Sequence, residues 1–186
     1  MWSEKAHLML FYGQCCLHLI MHMKHILPIL TLTTLAAAAS AQASAPAGLS
    51  YNRIEFSSQR ISGDTAYVLS AQAMIGASNF VVKATSTVGG DTANGTDSVS
   101  LGYVFKNFAF GTDATVSIGS NENYTVQLRK DIGNNLEVGA LFNRTPSNDI
   151  WGVEVAYNLS KQVQVAVGYA DIGGGHTTAL SARYNF

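Results

Sequence analysis

The sequence predicts an all-β chain, an antiparallel up-and-down transmembrane β-barrel of ten strands preceded by a cleaved signal peptide. Three observations carry this expectation. Apolar and polar side chains alternate with period two along most of residues 49–186, tight turns recur at a near-constant interval, and the last run closes on the aromatic Phe186. A strand of period two has one face in an apolar medium and the other in water.

Taken in order, the front of the chain supplies an address. Met23, Lys24 and His25 form a short basic start, residues 26–39 are apolar, and Ala41, Gln42 and Ala43 fit the small-x-small cleavage rule, so residues 23–43 read as a secretory signal peptide cut before Ser44. The apolar stretch is shorter than the roughly 20 residues that span a bilayer. Residues 1–22 read as an extension upstream of a true start at Met21 or Met23. Glu4 sits badly in an export leader, and Cys15 and Cys16 follow Gly13 and Gln14 with no small-residue lipobox. Residues 44–186 then form one barrel domain without cysteine, which excludes disulfides and thiolate metal sites.

Within that domain, tight turns fall at Ser78-Asn79-Phe80, Lys106-Asn107-Phe108, Asn134-Asn135-Leu136 and Lys161-Gln162-Val163, so the apolar strand starts are 28, 28 and 27 residues apart. This is the rhythm of consecutive hairpins. Longer connections rich in turn formers alternate with them, at 59–64, 89–96, 119–123, 145–149 and 172–175. Tight turns at one end and longer loops at the other is the asymmetry of a membrane barrel. The strands read as 49–57, 65–75, 80–88, 97–106, 108–118, 123–131, 135–144, 150–158, 162–171 and 176–186. Eight strands, the alternative, would leave loops that the sequence does not contain.

Parity assigns the faces. Val99, Leu101, Tyr103 and Phe105 alternate with Ser98, Ser100, Gly102, Val104 and Lys106; Trp151, Val153, Val155, Tyr157 and Leu159 alternate with Gly152, Glu154, Ala156 and Asn158. The strands holding Tyr124, Val126 and Leu128, and Val163, Val165, Val167 and Tyr169, repeat the rule, with Gln162 among the inward positions. The first set in each faces lipid. Tyr51, Tyr67, Tyr103, Tyr124, Trp151, Tyr157, Tyr169 and Tyr184 sit near strand ends and read as two aromatic girdles. On the inward face are Arg53, Glu55, Lys83, Asp113, Arg129, Glu137, Glu154 and Arg183. Buried charges persist when paired and hydrogen-bonded, so these eight are expected to form an ion-pair network that plugs a narrow lumen. A water-filled conduit for small solutes is the alternative.

Composition narrows the function classes. Nine basic residues stand against eleven acidic ones in residues 44–186, without the clustered positive surface that nucleic acid requires. No catalytic residue is assigned. His176 has only Asp171 and Ser181 near it in sequence, parity sets His176 and Ser181 on opposite faces, and it reads as a solvated histidine beside Gly173, Gly174 and Gly175. No metal or cofactor is expected; Gly89, Gly90, Asp91 and Asp97 read as a turn-rich loop.

The leader, the ten alternating runs, the motifs Leu101-Gly102-Tyr103 and Val167-Gly168-Tyr169, and the closing Ala182-Arg183-Tyr184-Asn185-Phe186 together resemble the small bacterial outer-membrane β-barrel family of the OmpX, opacity-protein and OmpA-barrel kind. That resemblance implies a non-enzymatic outer-membrane protein with a structural or surface-interaction role. It also implies lipid and lipopolysaccharide as surroundings, Tyr184 and Phe186 as a signal read by the barrel-assembly machinery, and a monomer. A narrow diffusion channel is the second reading and a secreted soluble β-sandwich the third.

Overall fold

Period-two alternation becomes strand throughout the described part of the chain. The computed structural model describes residues 49–91, 97–173 and 175–186; the segments read as leader and upstream extension lie outside the described residues. Among these residues the strands are β1 (Arg53–Ile61), β2 (Asp64–Met74), β3 (Phe80–Gly90), β4 (Ser98–Ala109), β5 (Thr112–Gly119), β6 (Asn123–Gly133), β7 (Leu136–Arg144), β8 (Asp149–Asn158), β9 (Val163–Ile172) and β10 (His176–Asn185). One turn of 3-10 helix, Ser120–Glu122, joins β5 to β6.

Each strand pairs antiparallel with its sequence neighbour, and β10 returns to β1, closing a single barrel. The join runs from Arg53 opposite Asn185 to Ile61 opposite Thr177. Closure leaves no sheet edge, so each ladder amide finds a partner within the wall. A single closed sheet of ten strands replaces both the two-sheet sandwich and the eight-stranded alternative.

Several boundaries differ from the sequence expectation, each for a local reason. The first strand begins at Arg53 and not at residue 49, because the residues before it turn into the lumen. It then runs on through the expected 59–64 loop to a two-residue turn, Ser62-Gly63, with φ of 51° and 108°. Positive φ at both central positions is the type I′ pattern that matches strand twist, and Phe110-Gly111 and Asn134-Asn135 share it. The turn expected at Lys106-Asn107-Phe108 therefore falls later, at Phe110-Gly111. A register shift between Phe105 and Ala109 precedes it, with Asn107 at φ 53° and its N–H donating to Asp113 Oδ1 at 2.8 Å. This bulge breaks parity, so Lys106, expected inside, is exposed. Gln162, also expected inside, lies exposed in the β8–β9 turn, where its N–H donates to Ser160 Oγ at 3.2 Å.

Both ends of the described wall lie at one rim, the terminal rim, with the β2–β3, β4–β5, β6–β7 and β8–β9 connections. The other five connections form the far rim. Connection length does not separate the rims as expected: Ser62-Gly63 at the far rim is as tight as any, and five residues join β2 to β3 at the terminal rim.

The burial pattern is inverted relative to a water-soluble barrel. Large apolar side chains point outward and are exposed, among them Leu101, Ile118, Trp151, Val153, Val167 and Leu180, while Ser57, Gln72, Arg129, Glu137, Gln164 and Arg183 are buried inside. Outward aromatics gather in two belts. Tyr67, Tyr124, Phe142, Trp151 and Tyr169 lie toward the far rim, with Phe142 and Trp151 rings 4.3 Å apart. Phe80, Tyr103, Phe105, Tyr157 and Tyr184 lie toward the terminal rim, where Tyr103 meets Phe80 edge-on at 5.1 Å. Tyr51, expected in a girdle, is in neither: it is 5% exposed and sits in the lumen.

Gly102 of β4 marks a tight place in the wall. A Cβ there would stand 2.8 Å from Ser117 Cβ and 3.0 Å from Val116 O on β5. Gly102→Ala is expected to destabilise the barrel by about 1–3 kcal/mol through overpacking, read as a lower midpoint of urea unfolding in detergent micelles.

Candidate functional site

The lumen divides into a packed floor at the terminal rim and a cavity above it. All eight inward charges named from the sequence face this interior, and the structure gathers seven of them into two linked groups and the layer around them, with Asp113 apart.

The first group lies on β6, β7 and β9. Arg129 Nε donates to Glu137 Oε1 and Arg129 Nη2 to Glu137 Oε2 at 3.0 Å, a bidentate pair whose side chains are 3% and 4% exposed. Gln164 Nε2 donates to Glu137 Oε2 at 3.0 Å and to Asn158 Oδ1 at 2.9 Å. The second group crosses the barrel join. Arg183 on β10 donates from Nε to Glu55 Oε2 on β1 at 2.8 Å, and from Nη2 to Glu154 Oε2 on β8. Gln164 Oε1 accepts from Arg183 Nη1 at 3.1 Å. One amide side chain thereby links the two groups. Charge-assisted, bidentate pairing of this kind makes buried charge tolerable in a narrow interior.

Arg53 and Lys83 complete the middle layer. Arg53 Nε lies 3.9 Å from Glu55 Oε2, and its buried Nη1 has no hydrogen-bond partner among the described residues. Lys83 feels the charges of Glu55 and Glu154 with those of Arg53 and Arg183. Asp113 stands apart at the floor, where its Oδ2 accepts from Tyr51 Oη at 2.6 Å.

Tyr51, like Lys106 and Gln162, lies on the side opposite to the one expected from the sequence, and the floor is built around it. Its ring packs with Val81 and Val104 in a small buried apolar cluster, flanked by Leu49 and Met74. The Arg129 guanidinium carbon lies 5.1 Å from the ring centroid, a cation–π distance. Burial, reinforced by the bond to Asp113, pushes the Tyr51 phenol up from its ordinary range, so it stays a protonated donor at neutral pH. Gln164 faces inward as parity places it, and it is buried; its part in joining the two charged groups was not assigned from sequence.

Above the floor is a cavity of about 440 Å³ that continues to far-rim residues such as Gln59, Asn123 and Asn143. Its walls carry small and hydroxyl side chains, including Thr85, Ser98, Ser100, Ser117 and Thr125, and its base carries Arg53, Glu55, Lys83, Glu154 and Arg183. His176 is exposed on the outer face, its ring 6.2 Å from that of Tyr169, while Ser181 is buried inside. The loop carboxylates are engaged locally: Asp91 Oδ2 accepts from the Thr65 N–H at 3.1 Å, and Asp97 Oδ1 from Ser86 Oγ at 2.6 Å.

Breaking the Arg129–Glu137 pair from one side strands a buried charge, whereas removing both partners does not. Arg129→Met is expected to cost about 3–5 kcal/mol. The Arg129→Met/Glu137→Met double variant should recover much of that loss, measured as a coupling energy from urea unfolding in micelles.

No family model and no curated protein sequence matches this chain. Among solved structures, the chain is similar to a KdgM porin at 14% identity, with a TM-score of 0.48 over 72% of this chain and 99% of that one. A phycobiliprotein lyase from Guillardia theta gives the same TM-score at 7% identity, over 73% and 86%. The outer membrane protein Omp33 of Acinetobacter baumannii gives 0.37 at 12% identity, over 75% and 100%. Likenesses this distant concern general shape; the functional reading rests on the chain's own residues.

Proposed function

We propose that this chain is an integral outer-membrane β-barrel with a structural or surface-interaction role and no enzymatic activity. One observation carries the reading: a closed wall that exposes its large apolar residues outward between two aromatic belts and buries arginine and glutamate inward. Exposed apolar area on that scale is a liability in water and an asset in lipid. Lipid and lipopolysaccharide are the surroundings such a belt fits, and a closed wall needs no second copy to cover an edge. Tyr184 and Phe186 accompany the closing strand, where an assembly factor would engage, and the leader read from residues 23–43 supplies export.

A narrow channel for small solutes is the second reading, favoured by the cavity that continues from the charged layer to the far rim. Under the leading reading the terminal-rim floor keeps that cavity from crossing the wall.

The protein is expected in the outer-membrane fraction with heat-modifiable gel migration, the mark of a barrel that resists detergent until boiled. Recovery entirely in the soluble fraction after osmotic shock would overturn the proposal. Phe186→Ala should lower the folded, heat-modifiable yield in the membrane without altering export of the chain.

A further inference from the structure

Residues 49–51 contact side chains inside the lumen and take no part in the strand ladder. The ladder-like pairing begins at Asn52, whose carbonyl accepts from the Phe186 N–H at 3.1 Å and whose Oδ1 accepts from the Met74 N–H at 2.8 Å. Before that anchor, side chains from the surrounding wall hold the segment. Gln72 Nε2 donates to the Tyr51 carbonyl at 3.2 Å, Arg129 Nη1 donates to the Ser50 carbonyl at 2.8 Å, and Tyr51 donates to Asp113 at 2.6 Å. Tyr51 is 5% exposed and Val104 beneath it 0%.

We propose that residues 49–51 are a stopper, a removable closure that decides whether the lumen conducts. The proposal rests on the membrane-barrel reading above and adds to it the regulation of the lumen. Three features favour a stopper over a structural core. Among the described residues the segment's backbone makes no ladder pairing before Asn52, so withdrawing it breaks no β1–β10 or β1–β2 pairing. Its contacts reach β2, β3, β4, β5 and β6 and share only Arg129 with the ion-pair network; Arg129 keeps its bidentate pair with Glu137 when the Ser50 bond is lost, so the network survives the withdrawal. What withdrawal uncovers is the floor of the existing cavity, joining that space to the terminal rim as a path for small hydrated ions. Gln72, Asp113 and Arg129 line this path beside Val81 and Val104, so water can replace the bonds that the three polar groups lose.

The test is single-channel recording in planar bilayers with the full exported chain. Wild type is expected to be silent or to open rarely, and Tyr51→Phe, which keeps the ring, should stay mostly closed. Leu49→Ala/Tyr51→Ala should raise the time-averaged current roughly tenfold or more, as expected when the closed state loses most of its advantage. Leu49→Ala alone, a milder change, should give a smaller rise and decides the matter if the double variant does not fold. Heat-modifiable migration of each variant reports the barrel separately from its closure. Folded variants as silent as wild type would overturn the stopper, and so would a wild type that conducts continuously at the variant's unit conductance. Absence of heat-modifiable wild-type protein would instead overturn the barrel reading beneath it.

Discussion

The pairing of β10 with β1 sets the terms for the rest of the molecule. Once the ladder is closed, the backbone is satisfied within the wall, and each side chain has only two places to go. A ten-stranded wall encloses a space narrow enough that inward side chains touch one another across it. Polar groups sent inside must therefore find protein partners. Arg129, Glu137, Gln164, Arg183, Glu55 and Glu154 do so, each strand from β6 to β10 giving at least one member and β1 giving Glu55. The other half of the interior solves the same problem with shape, filling the floor with Tyr51, Val81 and Val104. Charge on one side and an aromatic cluster on the other meet where the Arg129 guanidinium lies against the Tyr51 ring.

The two halves of the lumen differ in what holds them. The ion-pair side is tied by strongly directional bonds between side chains on the wall itself, and one amide, Gln164, serves as donor to one group and acceptor to the other. The apolar side depends on a segment that is not part of the wall. This division explains why the lumen above the floor stays open and polar: the bulky residues are concentrated at one rim, while Ser98, Ser100, Ser117 and Gly102 keep the walls thin higher up.

Most of the architecture was legible because period-two alternation is a one-dimensional trace of a two-sided wall. Strand number, the β1–β10 join, the outward set of Val99, Leu101, Tyr103 and Phe105, and the inward charges could all be read from parity. What escaped were places where parity is interrupted or does not apply. The bulge at Asn107 moves a turn and expels Lys106, and a left-handed asparagine resembles turn chemistry in sequence. Ser62-Gly63 sits in a polar run, so a two-residue hairpin there looked like a longer loop. Tyr51 precedes its strand, and alternation says nothing of a residue outside the ladder; an amphipathic tyrosine near a strand end suits a girdle as well as a lumen. The bonding within the charged set was closed to sequence as well, because Arg183 reaches Glu154 two strands away, and that proximity exists only once the wall curves.

The ion pair at the join has a further consequence for how the wall finds its alignment. Hydrophobic patterning forbids a slip of one residue, since that would turn every side chain to the wrong face. It is indifferent to a slip of two. Arg183 stands opposite Glu55, with Arg53 two positions to one side and Ser57 two positions to the other. A slip of two in one direction would set guanidinium against guanidinium inside the barrel, and in the other would leave the cation facing a hydroxyl. Electrostatics thus distinguishes alignments that greasiness alone treats as equal, and the seam where the chain meets itself carries its own proofreading.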